Sequence, residues 1–213
     1  MRHASASFVT ALATVLILTG CAGADPEPQS DVASIEMGEP QSDATAPAAQ
    51  LSFGEVGWFE APQGPDDSPG LVGLAVLELE QQDAATFWDE QFGSDADEFA
   101  GLTPYTVVTQ TDFTANPVPE SYYPNEPQVV GVYPDGTFSQ YAVTSGGGYG
   151  NDCGLTLPEW DVYDEEQTTL LSCYVLGAVE GQTITSLAYT GATLTQLSTG
   201  SGPYWEQPVT WTP

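Results

Sequence analysis

Basic side chains are almost absent from this chain of 213 residues, which has no lysine, one arginine (Arg2) and one histidine (His3). Against them stand 30 aspartates and glutamates, and the formal net charge is −29 at pH 7. A protein needs Lys and Arg to displace the counterions of nucleic-acid phosphates, so the composition excludes nucleic-acid binding. For the same reason the chain offers no basic patch to anionic lipid headgroups.

The shortage of histidine and cysteine removes several classes of chemistry. Ser-His-Asp and Cys-His catalysis lack their base, and Schiff-base catalysis lacks its lysine. Zinc and copper sites draw on His and Cys, and the chain holds only three cysteines. Two carboxylates alone can hydrolyse a glycoside, but with 30 acidic side chains some pair is always close. We therefore predict no catalytic residue, no metal ligand and no cofactor, with a carboxylate-only hydrolase as a remote alternative.

The N-terminus has the pattern of an export signal. Met1-Arg2-His3 is followed by an apolar run from Phe8 to Leu18, which is too short to span a bilayer as a permanent helix. The run ends in Leu18-Thr19-Gly20-Cys21, which resembles a bacterial lipobox. That resemblance implies a signal peptide over residues 1–20, cleavage before Cys21 and a lipid on its thiol.

Lipidation at Cys21 predicts a location and a partner. Two or more acyl chains anchor a protein stably where one is marginal, so the expected partner is the membrane and the expected place is the outer face of the bacterial cytoplasmic membrane. The alternative is an ordinary secretory signal followed by an incidental cysteine.

Residues 21–50 are rich in Ala, Pro, Ser, Asp, Glu and Gln and poor in large apolar side chains. Such a segment buries too little surface to offset its ordering entropy, so we predict a disordered acidic linker. At a polyproline II rise it would reach up to roughly 90 Å, and as a flexible coil about 30 Å.

Residues 51–213 have the composition of one globular domain. We predict strands near residues 51–59, 71–80, 104–113, 128–133, 138–143, 168–176, 183–189 and 209–211, because short runs rich in Val, Thr, Tyr and Leu alternate with turn residues. One helix is predicted, capped by Asp83 and ended by Gly93, with four side chains on one face: Ala84, Phe87, Trp88 and Phe92. Trp58 and Trp211 are predicted core residues.

Two further local features support an all-β domain. Tyr133-Pro134-Asp135-Gly136-Thr137 predicts a hairpin turn, since Pro and Gly preset the dihedral angles that the turn needs. Cys153 and Cys173 are the two thiols left after lipidation, and outside the membrane such a pair most simply forms one disulfide. Many short strands with regular turns are typical of a sandwich or barrel.

Residues 71–213 resemble the Ig-like β-sandwich domains of actinobacterial secreted lipoproteins and of a related immunogenic extracellular antigen. The matching residues are Thr103-Pro104-Tyr105-Thr106-Val107-Val108, Pro134-Asp135-Gly136, Cys153 with Cys173, and Pro208-Val209-Thr210-Trp211. The resemblance implies an antiparallel Ig-like sandwich, and that family is mostly of unknown function, with no established catalytic residues to carry over.

Three kinds of candidate site remain. Two acidic clusters could bind calcium, which gives a calcium-binding or calcium-stabilised domain as the alternative function, although neither has EF-hand spacing and solvated loops are the simpler interpretation: Asp95, Asp97 and Glu98; and Asp161, Asp164, Glu165 and Glu166. Aromatic residues in or beside Gly/Pro-rich loops could bind a protein or a cell-wall glycan, although in all-β domains such residues are more often core residues or anchors that cover loops: Tyr122, Tyr123, Tyr149, Trp160, Tyr204 and Trp205. The glycine-rich run 145–150 lacks the lysine of a phosphate loop and is predicted to be a plain loop. A noncatalytic interaction or ligand-binding domain is the leading prediction.

Overall fold

The computed structural model describes residues 33–63, 68–113, 127–139, 141–143, 168–191 and 202–213. In this part of the chain the strands form two sheets, which confirms the predicted all-β sandwich. The strands are β1 (Gln50–Ser52), β2 (Val56–Gln63), β3 (Ser68–Gln81), β4 (Leu102–Asp112), β5 (Val129–Val132), β6 (Tyr141–Val143), β7 (Thr169–Val179), β8 (Ser186–Tyr189) and β9 (Val209–Thr212). The helices are α1 (Ala84–Phe92), a 3-10 segment (Gly93–Phe99) and α2 (Pro203–Glu206).

The two sheets differ in how their strands pair. The five-stranded sheet, in the order β2-β3-β4-β7-β6, is antiparallel throughout. The four-stranded sheet has the order β1-β9-β8-β5, and there β1 lies parallel to β9. The sandwich is antiparallel except at this edge, where the first strand and the last strand enter the sheet from the same end.

Strand β4 is buried on both of its faces, although its side chains alternate between them. Tyr105 and Val107 point into the core between the sheets, while Val108 points to the opposite, outer face. An alternation of this kind normally leaves one face of a sheet in water. Here β4 is buried from residue 104 to 112, so other parts of the chain must cover the outer face.

Helix α1 and the 3-10 segment cover one end of that outer face. Phe87 and Trp88 are buried there in a cluster with Val108, Cys173 and Val175. The helix begins after Asp83, whose carbonyl accepts a hydrogen bond from the Phe87 N–H at 2.9 Å, and Gly93 ends it at a positive φ of 53°. The predicted helix, its ends and its apolar face are therefore confirmed. The Asp83 side chain does not cap a backbone N–H of the helix, and it accepts instead from the Thr86 hydroxyl at 2.9 Å.

Trp211 and Phe59 lie at the centre of the core between the sheets, and Trp58 is equally buried on the outer side of β2. Both tryptophans were predicted to be core residues, and both are confirmed. Tyr174 ties the sheets together, because its hydroxyl accepts a hydrogen bond from the Val129 N–H at 3.1 Å across the core. The sandwich therefore combines apolar burial with a polar link between its layers.

The single strand predicted over 51–59 is two strands in different sheets. Gly54, at a φ of 83°, turns the chain after β1, and the Ser52 N–H donates to the Glu55 carboxylate at 2.6 Å. Apolar residues continue on both sides of Gly54, so the sequence pattern predicts one strand there and not two. A glycine at positive φ is what allows the chain to change sheets here.

The turn at 133–137 forms as predicted, but it does not join two neighbouring strands. The Gly136 N–H donates to the Tyr133 carbonyl at 2.9 Å, and Gly136 has a φ of 82°. Val132 and Phe138 form only an isolated bridge. β5 then pairs with β8, whereas β6 pairs with β7 in the other sheet. The chain thus uses a tight turn to cross between sheets.

Residues 33–49, which we name the strap, were predicted as part of the disordered linker, and that prediction is wrong for them. The Ile35 N–H and carbonyl both hydrogen-bond the Gln110 side chain at 2.8 Å, and Met37 is buried. Further along, the Thr45 N–H donates to the Trp58 carbonyl at 2.7 Å. Hydrogen bonds to the sandwich and the burial of Met37 hold the strap in place, although its polar composition provides few apolar contacts.

Candidate binding site

Helix α2 carries the two aromatic candidates that fall within the described residues, Tyr204 and Trp205. It is a single turn that starts at Pro203, a residue suited to the first helical position, after Gly202 at a φ of 104°. The Trp205 N–H donates to the Gly202 carbonyl at 3.1 Å. The helix ends just before β9, which holds it against the four-stranded sheet.

Tyr204 is an anchor and not a free contact residue. Its ring lies against Phe59 and Tyr189, with ring centroids 5.5 and 5.3 Å apart respectively. Its hydroxyl donates to the Thr45 carbonyl of the strap at 2.7 Å. Tyr204 therefore joins α2, the core and the strap, which accounts for an aromatic residue at this position without any ligand.

Trp205 has a different environment. Its ring is half-buried and lies 6.2 Å from the ring of Phe138, which is half-buried as well. The next residue, Ser139, points inward, because its hydroxyl donates to the Gly177 carbonyl of the five-stranded sheet. By alternation Phe138 points outward, so we name Trp205 and Phe138 the outer aromatic pair.

Phe138 packs against the apolar core cluster. Val130 and Ala188, which are paired across β5 and β8, belong to that cluster and are fully buried. Partly exposed aromatic rings beside an apolar core are the kind of surface that sugar rings and protein side chains bind by stacking and burial.

Tyrosine ionisation is strongly disfavoured beside this site. Burial, with a smaller contribution from a charged Tyr204, raises the pKa of Tyr189 from 10.0 to about 12. Burial also raises the pKa of Tyr204, and the charge of Glu60 acts in the same direction. Both hydroxyls are neutral at physiological pH, so neither can serve there as a base.

This shift predicts how the domain responds to alkali. Because the pKa of Tyr189 is higher in the folded than in the unfolded chain, the neutral form stabilises the fold below pH 10, and this stabilisation is lost as the pH rises from 10 to about 12. We expect the free energy of unfolding to fall over that range, and to fall less in Tyr189→Phe. Denaturant titrations at several pH values measure both slopes. Equal slopes in the two proteins would contradict the assignment.

The acidic cluster at Asp95, Asp97 and Glu98 does not form a cation site. All three side chains are exposed on the 3-10 segment that follows α1. Within the described residues no three acidic, histidine or cysteine side chains converge in a way that could hold a metal ion. The calcium alternative receives no support from this cluster.

The other predicted site residues lie outside the described residues. They are Cys21, Tyr122, Tyr123, the run 145–150, Cys153, Trp160 and the acidic residues Asp161, Asp164, Glu165 and Glu166. Cys173 is described and fully buried under α1. Its pairing with Cys153 stays a prediction.

One buried polar atom belongs to the core and not to a binding site. Within the described residues, the Thr111 hydroxyl has no hydrogen-bond partner. The residue is fully buried between Leu74 and Leu170 of the neighbouring strands, so no solute reaches it. Thr111 is therefore part of the core and not of a binding site.

Comparison of the chain with protein-family models, curated proteins and solved structures found no match. The helices within the described residues are also all too short or too polar to cross a bilayer. Functional inference therefore rests on the residues themselves.

Phe138 and Gln110 were missed as interaction residues by sequence reasoning. Phe138 was read as the first residue of a strand, and only the crossing between sheets turns it outward beside Trp205. For Gln110 a signal did exist, since a long amide sits in the middle of the Val- and Thr-rich strand β4. A buried amide in such a place needs a polar partner, and here the partner is the strap.

Proposed function

We propose that this chain is a lipoprotein held on the outer face of the bacterial cytoplasmic membrane through Cys21, and that its Ig-like sandwich domain binds a partner without catalysing a reaction. The membrane part of the proposal is supported by the lipobox-like sequence that ends in Cys21. The binding part is supported by one observation, the outer aromatic pair, in which Trp205 lies beside Phe138 and Phe138 packs against the apolar core.

The acidic charge of the chain limits the kinds of partner that it can bind. With 30 acidic side chains and no basic residue after His3, the chain repels polyanions. A neutral glycan of the cell wall, or a neutral or cationic face of another protein, meets no such repulsion. Stacking on Trp205 suits both, since aromatic rings bind the apolar faces of sugars and of side chains.

The lipid anchor is tested by Cys21→Ala. This variant has no thiol at the acceptor position, so we expect it to lose incorporation of labelled fatty acid and to leave the lipid-anchored membrane fraction. Gly20→Ala keeps a small residue before the cysteine and is the matched control, which should stay lipidated. Fatty-acid labelling that persists in Cys21→Ala would overturn the assignment.

The binding surface is tested by Trp205→Ala on the lipidated protein, with cosedimentation on purified cell-wall sacculi as the measurement. A residue at the centre of a binding surface contributes about 2 kcal/mol or more, so we expect affinity to fall at least about 30-fold. Trp205→Phe, which keeps an aromatic face, should retain most of the binding, and Glu206→Gln should be unchanged.

A protein partner would give a different result in the same system. A photo-crosslinking residue at position 205 should then form a discrete adduct on intact cells, and one at the exposed position 91 of α1 should not. If sacculi binding is unaffected in Trp205→Ala, and position 205 yields no adduct, the outer aromatic pair is not the binding surface.

A further inference from the structure

The strap is attached to the sandwich at three successive places. Its start is held by Gln110, whose side-chain amide donates to the Ile35 carbonyl and accepts from the Ile35 N–H, both at 2.8 Å. Its middle is held at Thr45, whose hydroxyl accepts from the Trp58 N–H at 2.8 Å. Its end is held where the Ala48 N–H donates to the Gln207 carbonyl at 2.9 Å.

The attachment at Gln110 is the one nearest to the predicted lipid. Gln110 is 1% exposed, and its side-chain amide hydrogen-bonds both the N–H and the carbonyl of Ile35, as the backbone of a neighbouring strand would. Met37, two residues further along, is buried as well. Ile35 is therefore the departure point of the strap, the attachment that lies nearest to Cys21 within the described residues.

This departure point lies on a defined face. Gln110 is two residues along β4 from Val108, so both point to the outer face of the five-stranded sheet, the face that α1 covers.

We propose that the docked strap limits the reach of the domain above the membrane. The proposal rests on the lipid anchor at Cys21 proposed above. With the strap docked, 14 residue steps separate Cys21 from Ile35; without it, 29 separate Cys21 from Gln50. At full extension of about 3.5 Å per residue, these lengths correspond to about 50 and about 100 Å. Docking thus halves the maximum reach and places the attachment on the face that α1 covers.

The test uses the full-length lipidated protein in a supported bilayer, with neutron reflectometry to measure the height of the protein layer. For the native protein we expect the near edge of the layer within about 50 Å of the bilayer surface. The strap-release variant combines Ile35→Pro, which removes the N–H that Gln110 accepts, with Met37→Glu, which disfavours burial. Both changes lie on the strap, so the sheets keep their own residues.

The release variant keeps the attachments at Thr45 and Ala48, so 24 residue steps instead of 14 separate Cys21 from the first attachment. We expect the layer to shift outward by up to about 35 Å and to broaden. The strap amides before Thr45 should lose protection from hydrogen exchange, while those of Thr45 and Ala48 keep it. A third protein, with 15 Gly/Ser residues inserted between residues 30 and 31, keeps the strap docked. It should shift outward while the strap amides stay protected, which establishes that the method resolves the change.

The outcomes separate this inference from the lipoprotein proposal. A native protein that does not float with liposomes overturns the anchor itself. A native protein that floats but lies beyond about 50 Å overturns the strap inference alone. So does a release variant with exposed strap amides and an unchanged height, when the insertion variant has moved.

Discussion

Trp211→Ala is expected to lower the free energy of unfolding by about 4 kcal/mol, the largest single effect that we predict. Trp211 is fully buried between the sheets, with its ring centroid 5.9 Å from that of Phe59. Its indole N–H donates to the Glu55 carbonyl at 2.9 Å, at the point where the chain passes from one sheet to the other. The substitution leaves a large cavity and an unpaired carbonyl at once.

The measurement is a denaturant titration of the lipid-free domain, compared with Trp205→Ala. The control deletes the same side chain from a half-exposed position, so it should cost about 1 kcal/mol or less. Since single domains are stable by about 5–15 kcal/mol, the core variant should show a clearly lower midpoint. Equal losses in the two variants would mean that Trp211 is not packed as described.

Gln110→Met is expected to cost about 2–3 kcal/mol and to release the start of the strap. Methionine has nearly the same shape, so packing on the outer face is kept while both hydrogen bonds to Ile35 are lost. The loss leaves the Ile35 N–H and carbonyl without their protein partner. We expect a loss of overall stability and also a local release of the strap near Ile35, because the strap is attached to the sandwich at three separate places.

Hydrogen exchange and limited proteolysis measure the local part. The Ile35 amide should exchange much faster in Gln110→Met, and a protease should cut between residues 33 and 44 before it cuts the sandwich. Gln182→Met is the control, since Gln182 is exposed after β7 and should change stability by less than about 0.5 kcal/mol. A strap that stays protected in Gln110→Met would show that Met37 and Thr45 hold it without the amide.

The regular elements could be predicted because their signals are local. Helix α1 begins at Ala84 and ends at Phe92, as its apolar spacing and flanking residues indicate. The long strands β4 and β7 lie where β-branched and aromatic residues recur, and β3 lies on a run of Leu and Val. In each case residues within one turn or one strand carry the information, and packing against the second sheet reinforces the same choice.

The site could not be predicted to the same degree, because its parts are distant in sequence. Trp205 was recognised as an aromatic residue in a loop, but its neighbour Phe138 is 67 residues earlier in the chain. Tyr204 was taken as a candidate contact and proved to be an anchor for Thr45. Neither assignment follows from composition, because both depend on which side chains the fold brings together.

By itself the sequence determined the acidic character, the classes of chemistry that lack their residues, the all-β class and the burial of Trp58 and Trp211, since these follow from composition and from local periodicity. Only the tertiary structure decided that the strap is folded, that β1 pairs in parallel with β9, and that Phe138 faces outward beside Trp205. The physical reason is that a polar segment such as the strap has too few apolar residues to order itself, and gains its partners only when the completed sandwich presents Gln110 and Trp58.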